Sequence, residues 1–545
     1  MRTCVHPNGK FVWGIHRPTF SVINLRQEDV ILSLGHGPDG TTIYNNKNFP
    51  SGPIDVQNAE CVYEIPNTFP FWGTTYVLKN RADLNAQKNS SIKISLGSHY
   101  SNTYGDWNAI KHLVSNYKTN SKTYGLKSLP REILLTTALC SDDEELLCEI
   151  AKISCELEFE SDSNIPAGIR HIIKDKGPVP QIYDHDLYET VANNPYLPDS
   201  YKQVMVLNPG VQGNSPIVSE YTNETHVFEY MRANSYIPWG HYASNMAHDT
   251  IRYHINDLSI KDIHGLRHIY YQRIYIQLAS MLGIEVQSAP LPDQDALEHL
   301  RLRVLETIVS YASNNRTIPF NATLWGWNYG FGFAPSGFRL HASHQQIHQQ
   351  FALIPRTVQD AITEDQDEML SYAIGDQVTE ACKTFKKEHG RGLFECLISA
   401  LKSNIRTNAT DNNPKASNSS LIVYQDENVA IYIPKAQRFQ SEVHIMCLKP
   451  VGNIIEADSS VRHSLDKALL MALKGLAGMG ARMVTCCEAS KRFDNLDHDQ
   501  RLFYYLLPKH PISPGTFSEW QLRWISGHYP EDFAATLRSH IPETS

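Results

Sequence analysis

The sequence lacks long apolar runs, an excess of positive charge and a cysteine framework. None of its 545 residues belong to a run near the roughly 18 apolar residues of a membrane helix, and the first residues lack the apolar core of a secretory signal. A net charge of −9 argues against nucleic acid as the main ligand. Ten cysteines without disulfide spacing indicate reduced thiols. We therefore expect a cytoplasmic protein whose partners are neither membranes nor nucleic acids.

Patterns typical of metal sites are also scarce. No Cys-x-x-Cys pair occurs, and the adjacent Cys486 and Cys487 are typical of a buried pair rather than of a ligand set. One polar and aromatic cluster near residue 240 could steer phosphates or bind a metal, although its spacing fits no common zinc pattern. It could equally be a strand edge and loop with surface histidines. The basic members of this cluster are His241, His248, Arg252 and His254.

The composition is that of a globular protein with more than one domain. Hydrophobic residues make up 41% and aromatic residues 10% of the chain, which supplies material for cores, and the length predicts two or three domains. Strand-forming runs dominate residues 1–125. Many Pro, Gly, Asn and Asp residues over 175–222 are typical of a long connection. We place the domain boundary there, between a strand-rich N-terminal domain over 1–200 and a region over 225–545.

The second region has an α+β pattern. Apolar residues at helical spacing predict helices over 259–281, 294–311 and 461–478, and a charged helical stretch over 359–402. Strands are expected over 322–353, 421–449 and 481–487. In the first region, Ser141, Asp142 and Asp143 precede a helix that begins at residue 144 and supply its cap.

Two glycine-rich segments have the spacing of nucleotide-binding loops but the wrong context. Gly35 to Gly40 spells G-x-G-x-x-G, yet Pro38 lies inside it and strand-like residues follow where a dinucleotide site needs a helix. The glycines of 475–480 lie between a helix and a strand, which is the reverse order. We expect a plain turn at the first segment and a helix end at the second.

The densest polar segment runs from Ser343 to Gln350, between apolar neighbours. It reads Ser343, His344, Gln345, Gln346, Ile347, His348, Gln349, Gln350. A strand places alternate residues on one face, so Gln346, His348 and Gln350 would lie together. Such a row could hold anionic oxygens, and His348 could be a covalent nucleophile with Gln350 steadying the group that it attacks. An exposed strand with no task beyond solvation is the alternative.

This segment resembles the active-site strand of the galactose-1-phosphate uridylyltransferase branch of the histidine-triad superfamily. That branch carries Ser-x-x-His-x-His-x-Gln, which Ser343, His348 and Gln350 match, while Gln346 replaces the first histidine. Asn328 and Gly330 resemble the Asn-x-Gly of the preceding strand. Segments 423–450 and 529–538 resemble the strand pair that opens the second half and the closing helix of these enzymes. The resemblance covers roughly residues 225 to 540.

The resemblance implies a fold and an activity. The fold would have two histidine-triad-like halves of antiparallel sheets with packed helices, over about 225–400 and 421–545, beside the N-terminal domain. The activity would be that of a nucleotidyltransferase or nucleotide phosphorylase on a nucleotide-sugar or dinucleoside polyphosphate, with a phosphate or sugar-phosphate acceptor. His348 would form a covalent nucleotidyl-histidine intermediate, and Ser343 and Gln350 would hold the oxygens of the reacting phosphate. A hydrolase, or a non-catalytic nucleotide-binding regulatory protein on this scaffold, is the alternative.

The resemblance also implies further contacts. The substrate would touch Asn328, Gly330, His344 and Gln346, and the cluster near residue 240 would face it through His241, His248 and Arg252. Many relatives hold zinc through a Cys-x-x-Cys pair and the first triad histidine, and a second metal through a His-x-His near the C-terminus. Here Gln346 stands at the first position, and Phe503 and Tyr505 at the second, so we expect no metal and no cofactor. The resemblance is also compatible with a homodimer.

Overall fold

The computed structural model of the chain describes residues 1–22, 33–44, 52–56, 59–88, 94–96, 125–161, 163–174, 177–192, 194, 196–202, 204–205, 259–286, 294–330, 347–359, 368–409, 419–439, 441–481, 483–509 and 515–542. Over these residues, no helix has both the length and the apolar character needed to cross a bilayer.

The described part of the first hundred residues consists mainly of short strands, as the strand-rich pattern predicts. These elements are β1 (Val5–His6), β2 (Lys10–Phe11), β3 (Gly14–His16), β4 (Phe20–Val22), β5 (Ser33–His36), β6 (Thr42–Tyr44), β7 (Ile54–Val56), β8 (Val62–Pro66), β9 (Thr74–Leu78) and α1 (Lys79–Ala86). Strands β5 and β6 pair across the loop 37–41, where the Gly37 N–H donates to the Thr41 carbonyl. The G-x-G-x-x-G segment therefore forms a hairpin turn that leads directly into β6, as the prediction of a plain turn requires.

Residues 125–205 build a separate hydrophobic core. Its elements are α2 (Arg131–Cys140), α3 (Glu144–Ser154), β10 (Leu157–Phe159), β11 (Pro166–Ile169), β12 (His171–Lys174), β13 (Gly177–Pro180), α4 (His185–Ala192) and α5 (Asp199–Lys202). The predicted cap of α3 is confirmed, because the Asp143 carboxylate accepts from the Leu146 N–H at 3.0 Å. The prediction of a long connection from residue 175 is wrong for the described residues between 177 and 202, which form β13, α4 and α5. Leu187, Tyr188 and Val191 are buried in this core at helical spacing, and that burial outweighs the neighbouring Pro and Gly residues.

The middle of the chain contains the two long predicted helices and the predicted strands. They are α6 (Ile260–Met281), α7 (Gln294–Ser313), β14 (Phe320–Gly330) and β15 (Ile347–Pro355). The helical prediction over 359–402 is wrong at its start, because β16 (Thr357–Gln359) and β17 (Glu368–Leu370) form a hairpin there. The helical prediction is confirmed in the rest of the stretch, which contains two helices, α8 (Ile374–His389) and α9 (Leu393–Lys402). Gly390 separates them with a φ of 70°, a left-handed conformation that ends a helix at little cost in glycine.

The last third of the chain alternates strands and helices as predicted. Its elements are β18 (Ile422–Gln425), β19 (Val429–Tyr432), β20 (Val443–Cys447), α10 (Ser459–Gly478), β21 (Met483–Ala489), β22 (Phe503–Pro508), α11 (Thr516–Glu519), β23 (Arg523–Ser526) and α12 (Pro530–His540). Helix α10 ends at Gly478, and Gly480 turns the chain with a φ of 97°. The glycines of 475–480 are thus a helix end, as predicted.

One antiparallel sheet of seven strands organises the core. Its order is β15-β14-β21-β22-β20-β19-β18, so strands from both predicted halves share a continuous sheet, joined where β14 pairs with β21. Helices α6 and α10 pack on one face. The α+β class is confirmed, whereas the division into two histidine-triad-like halves stays a prediction.

A second sheet joins the two ends of the chain. Its order is β23-β9-β8-β3, and β23 lies parallel to β9 with Arg523 opposite Thr74. Buried residues from both ends, such as Cys4 and Phe69 with Tyr529, belong to one hydrophobic core with the seven-stranded sheet. The domain boundary between residues 200 and 225 falls almost wholly outside the described residues and stays a prediction.

Candidate active site

The candidate motif lies on two neighbouring strands at one edge of the seven-stranded sheet. In the ladder between β14 and β15, His348 pairs with Asn328 and Gln350 pairs with Gly326. The Asn-x-Gly and His-x-Gln motifs are therefore adjacent in space, although about twenty residues separate them in sequence. Gly330 ends β14 and pairs with Met483 of β21. Gln350 is exposed, whereas Asn328 is partly buried.

The orientation of the Asn328 amide is fixed by a threonine that sequence reasoning did not single out. Thr485 lies opposite Asn328 on β21, and its hydroxyl donates to Asn328 Oδ1 at 2.8 Å. Because the amide oxygen is the acceptor in this bond, the amide nitrogen is the end that can donate to a ligand. The signal that could have identified Thr485 is a hydroxyl between Val484 and Cys486, two apolar residues of the strand Met483–Ala489.

The candidate site has no side chain at one position on β14, where the sequence has Gly326. Gly326 lies between Gln350 on one side and Cys487 on the other. A Cβ on residue 326 would lie 3.0 Å from the Cys486 carbonyl oxygen, which is closer than side chains normally approach. Larger residues at this position would therefore push β14 away from β21. Next along the sheet, Cys487 pairs with Tyr505 of β22.

A charged and aromatic cluster lies beside Tyr505 of β22 and His444 of β20. The Arg438 guanidinium lies 3.6 Å from the Trp72 ring centre and 4.5 Å from that of Tyr505. Arg438 also donates to Glu442 Oε1 at 2.7 Å, and His444 Nε2 bonds the same oxygen at 2.7 Å. Burial raises the pKa of Glu442, but Arg438 and His444 lower it to about 2, so the carboxylate stays charged. The cluster is thus a guanidinium that is paired with a buried carboxylate and packed against two aromatic rings.

The other face of β14 rests on a buried charge network. Arg267 of α6 is fully buried and donates to the Tyr504 hydroxyl at 2.7 Å and to Asp466 at 3.2 Å. Its guanidinium lies 4.1 Å from the Trp325 ring centre. Burial raises the pKa of Asp466 to about 6 although Arg267 opposes the shift, and burial also raises the pKa of Glu488 beside it. These groups pack against β14 on the face opposite to the candidate site.

Several predicted site residues lie outside the described part of the chain. They are Ser343, His344 and Gln346 of the motif, and His241, His248 and Arg252 of the cluster near residue 240. The backbone of His348 is described as part of β15. Of the candidate residues, the structure brings together Asn328, Gly330, His348 and Gln350. Their roles stay predictions.

The described residues contain no group of three His, Cys, Asp or Glu side chains that could hold a metal ion. On β22, Phe503 is buried and Tyr505 is partly buried. The expectation that the two cysteines of β21 are buried together is wrong. Successive strand residues face opposite sides of the sheet, so Cys486 is buried on one face and Cys487 is partly exposed on the face of the candidate site.

Comparison with known proteins gives matches among solved structures alone. No protein-family model matches the chain, and no curated protein matches it. A uridylyltransferase structure is 14% identical, with a TM-score of 0.30, over 45% of this chain and 68% of that one. A GalT-like protein from Arabidopsis thaliana is 13% identical, with a TM-score of 0.31, over 46% of this chain and 71% of the other. An ADP-glucose phosphorylase from the same plant, solved with bound ADP-glucose, is 14% identical, with a TM-score of 0.30, over 45% and 66%.

The resemblance to the galactose-1-phosphate uridylyltransferase branch of the histidine-triad superfamily rests on the sequence motifs, because all three structures are less than 15% identical to the chain. Matches with these TM-scores do not by themselves assign an activity.

Proposed function

We propose that the protein is a nucleotidyltransferase or nucleotide phosphorylase that works through a covalent nucleotidyl intermediate on His348. Its substrate is a nucleotide-sugar or a dinucleoside polyphosphate, and its acceptor is a phosphate or a sugar phosphate. The observation that carries this proposal is the register between β14 and β15, which pairs His348 with Asn328 and Gln350 with Gly326. This register supports a site in which nucleophile and amide donors meet one phosphate group.

The reaction proceeds in two in-line displacements. Neutral imidazole of His348 attacks the α-phosphorus, a P–N bond forms, and the P–O bond to the leaving phosphate or sugar phosphate breaks. An acceptor phosphate oxygen then attacks the same phosphorus, and the P–N bond breaks to regenerate the imidazole. Imidazole suits both steps because it is neutral near pH 7 and leaves readily once phosphorylated. Two inversions give overall retention at phosphorus.

The neighbouring side chains stabilise the charge that builds on the phosphate. Gln350 and the Asn328 amide nitrogen are donors on adjacent strands, and Thr485 keeps the Asn328 amide in the donating orientation. Ser343 adds a hydroxyl to the same group. Because Gly326 has no side chain, it leaves room for the rest of the substrate along the sheet.

Radioactive labelling tests the proposal. Purified protein is incubated with UDP-glucose, ADP-glucose or diadenosine tetraphosphate, each carrying ³²P at the α-phosphate. We expect one of them to leave an acid-labile, alkali-stable label on the protein. His348→Ala should abolish the label and lower turnover at least about 1000-fold, while changing the free energy of unfolding by about 1 kcal/mol.

His299→Ala is the matched control, because His299 is an exposed histidine on α7 that contacts the Asp295 carbonyl. It should label like the wild type. Release of nucleoside monophosphate without any acceptor would identify the hydrolase. A nucleotide that raises the melting temperature but leaves no label and is not turned over would replace the proposal by a non-catalytic binding protein.

A further inference from the structure

Gln349 lies between the two predicted catalytic residues of β15, on the inner side of the sheet. Its side-chain oxygen accepts from Trp325 Nε1 at 2.8 Å, and its side-chain nitrogen donates to the Leu266 carbonyl of α6 at 3.0 Å. Both ends of one amide are therefore used, one toward the neighbouring strand and one toward the supporting helix. An aliphatic residue would fill the same space but could make neither bond.

The two partners of Gln349 are held rigidly. Trp325 is 3% exposed, and its ring packs against Tyr504 with the centres 5.2 Å apart. The Arg267 guanidinium lies 4.1 Å from the Trp325 ring centre and is itself hydrogen-bonded to Asp466 and Tyr504. The Leu266 carbonyl belongs to the interior of α6, a helix of 22 residues. The amide of Gln349 is thus attached to two groups that have little freedom to move.

Strand β15 needs such an attachment because of its place in the sheet. It is the terminal strand, with β14 as its one neighbour among the described strands. Backbone hydrogen bonds to one neighbour fix the register of a strand but allow it to tilt out of the plane of the sheet. Tilting of β15 would move residues 348 and 350 together relative to Asn328.

We propose that Gln349 is a positioning residue, which fixes the height of β15 above α6 and so sets the distance from His348 to the phosphorus that it attacks. The inference rests on the proposed function for its chemical meaning. A misplacement of about 1 Å in a reacting group can slow a reaction by about 100-fold. Groups that hold a catalytic residue through hydrogen bonds are therefore expected to affect the chemical step more than binding.

Substitution of Gln349 by methionine tests this role, because methionine keeps the size of the side chain and removes both hydrogen bonds. Single-turnover formation of the nucleotidyl-enzyme should slow by about 10- to 100-fold, while the dissociation constant of the nucleotide changes less than about threefold. Trp325→Phe removes one of the two bonds, and its effect should be less than additive with that of Gln349→Met. Leu353→Met is the control, because Leu353 is partly buried four positions further along β15.

Hydrogen exchange over residues 347–352 gives a readout that does not depend on activity. We expect the backbone amides of this segment to exchange at least about tenfold faster in Gln349→Met than in wild type and Leu353→Met, with similar melting temperatures in all three. Unchanged exchange would overturn the inference even if the wild type forms no intermediate. Faster exchange with an unchanged rate of labelling would also overturn it. Absence of label on the wild type, together with faster exchange in the variant, would refute the proposed reaction and leave the structural anchor established.

Discussion

Gln346 is the residue at which the chain departs from the family that it resembles. A neutral amide binds zinc poorly, but it can donate to a phosphate oxygen or hold a backbone carbonyl. We predict that Gln346→Ala slows turnover by roughly 10- to 100-fold, at or below the usual effect of one transition-state hydrogen bond. Gln346→His should give no gain, because no Cys-x-x-Cys pair is present to complete the family's zinc site.

Steady-state kinetics on both variants decide the role of Gln346. If the enzyme is active and Gln346→Ala leaves its turnover unchanged, the residue is only a spacer. A faster Gln346→His would show that the site is a degraded form of the family's, which would favour the regulatory protein.

The N-terminal end of helix α8 packs closely against the backbone of the segment that follows β21. A Cβ on Gly375, the second residue of α8, would lie 1.7 Å from the Ser490 carbonyl oxygen just beyond β21. Alanine is the better helix former by about 1 kcal/mol, but it can enter here only if the helix moves away from β21. We predict that Gly375→Ala lowers the free energy of unfolding by about 2 kcal/mol or more, as measured by urea denaturation.

Gly478→Ala is the matched control for Gly375→Ala. Gly478 is the last residue of α10, and a Cβ there would meet its neighbours at ordinary contact distances of 3.5 Å or more. Here the helix preference of alanine should dominate, so the variant should be as stable as the wild type or slightly more so. Equal stability of all three proteins would show that the approach of Ser490 to α8 is not close in solution.

Elements with strong periodicity could be predicted from the sequence, and the site could be predicted only in part. Helices α6, α7 and α10 follow from apolar spacing alone, since each carries many turns of one pattern. The break between α8 and α9 was not predicted, because Gly390 is a single residue within a charged, helix-forming stretch. The pairing of Asn328 with Thr485 depends on the register of strands that are 157 positions apart, and no local pattern encodes it.

A buried ion pair ties the C-terminal helix to the central sheet of the whole molecule. Lys435 Nζ and Glu531 Oε1 are 2.6 Å apart, and both side chains are fully buried. Burial lowers the pKa of Lys435 although Glu531 opposes the shift. Removal of one partner leaves an uncompensated charge, so Lys435→Met should lower the free energy of unfolding by about 3 to 5 kcal/mol. The double variant Lys435→Met with Glu531→Leu should regain much of this loss.

The pair Lys383 and Glu380 on α8 is the control for that experiment. Their side chains are 60% and 69% exposed, so Lys383→Met should change the unfolding midpoint in urea little. If Lys435→Met proved as stable as Lys383→Met, water would have to reach the Lys435 pair in the folded protein.

The parallel pairing of β9 with β23 affects how the protein can fold while the ribosome is still synthesising it. Tyr76 and Arg523, which meet across these two strands, are 447 positions apart. At roughly 5–20 residues per second, the partner of β9 emerges roughly 20 to 90 seconds after β9 itself. During that interval the apolar side chains of β8 and β9, Ile65 and Val77 among them, have no finished core to enter. We therefore expect these strands to need protection by chaperones through most of the synthesis of the chain.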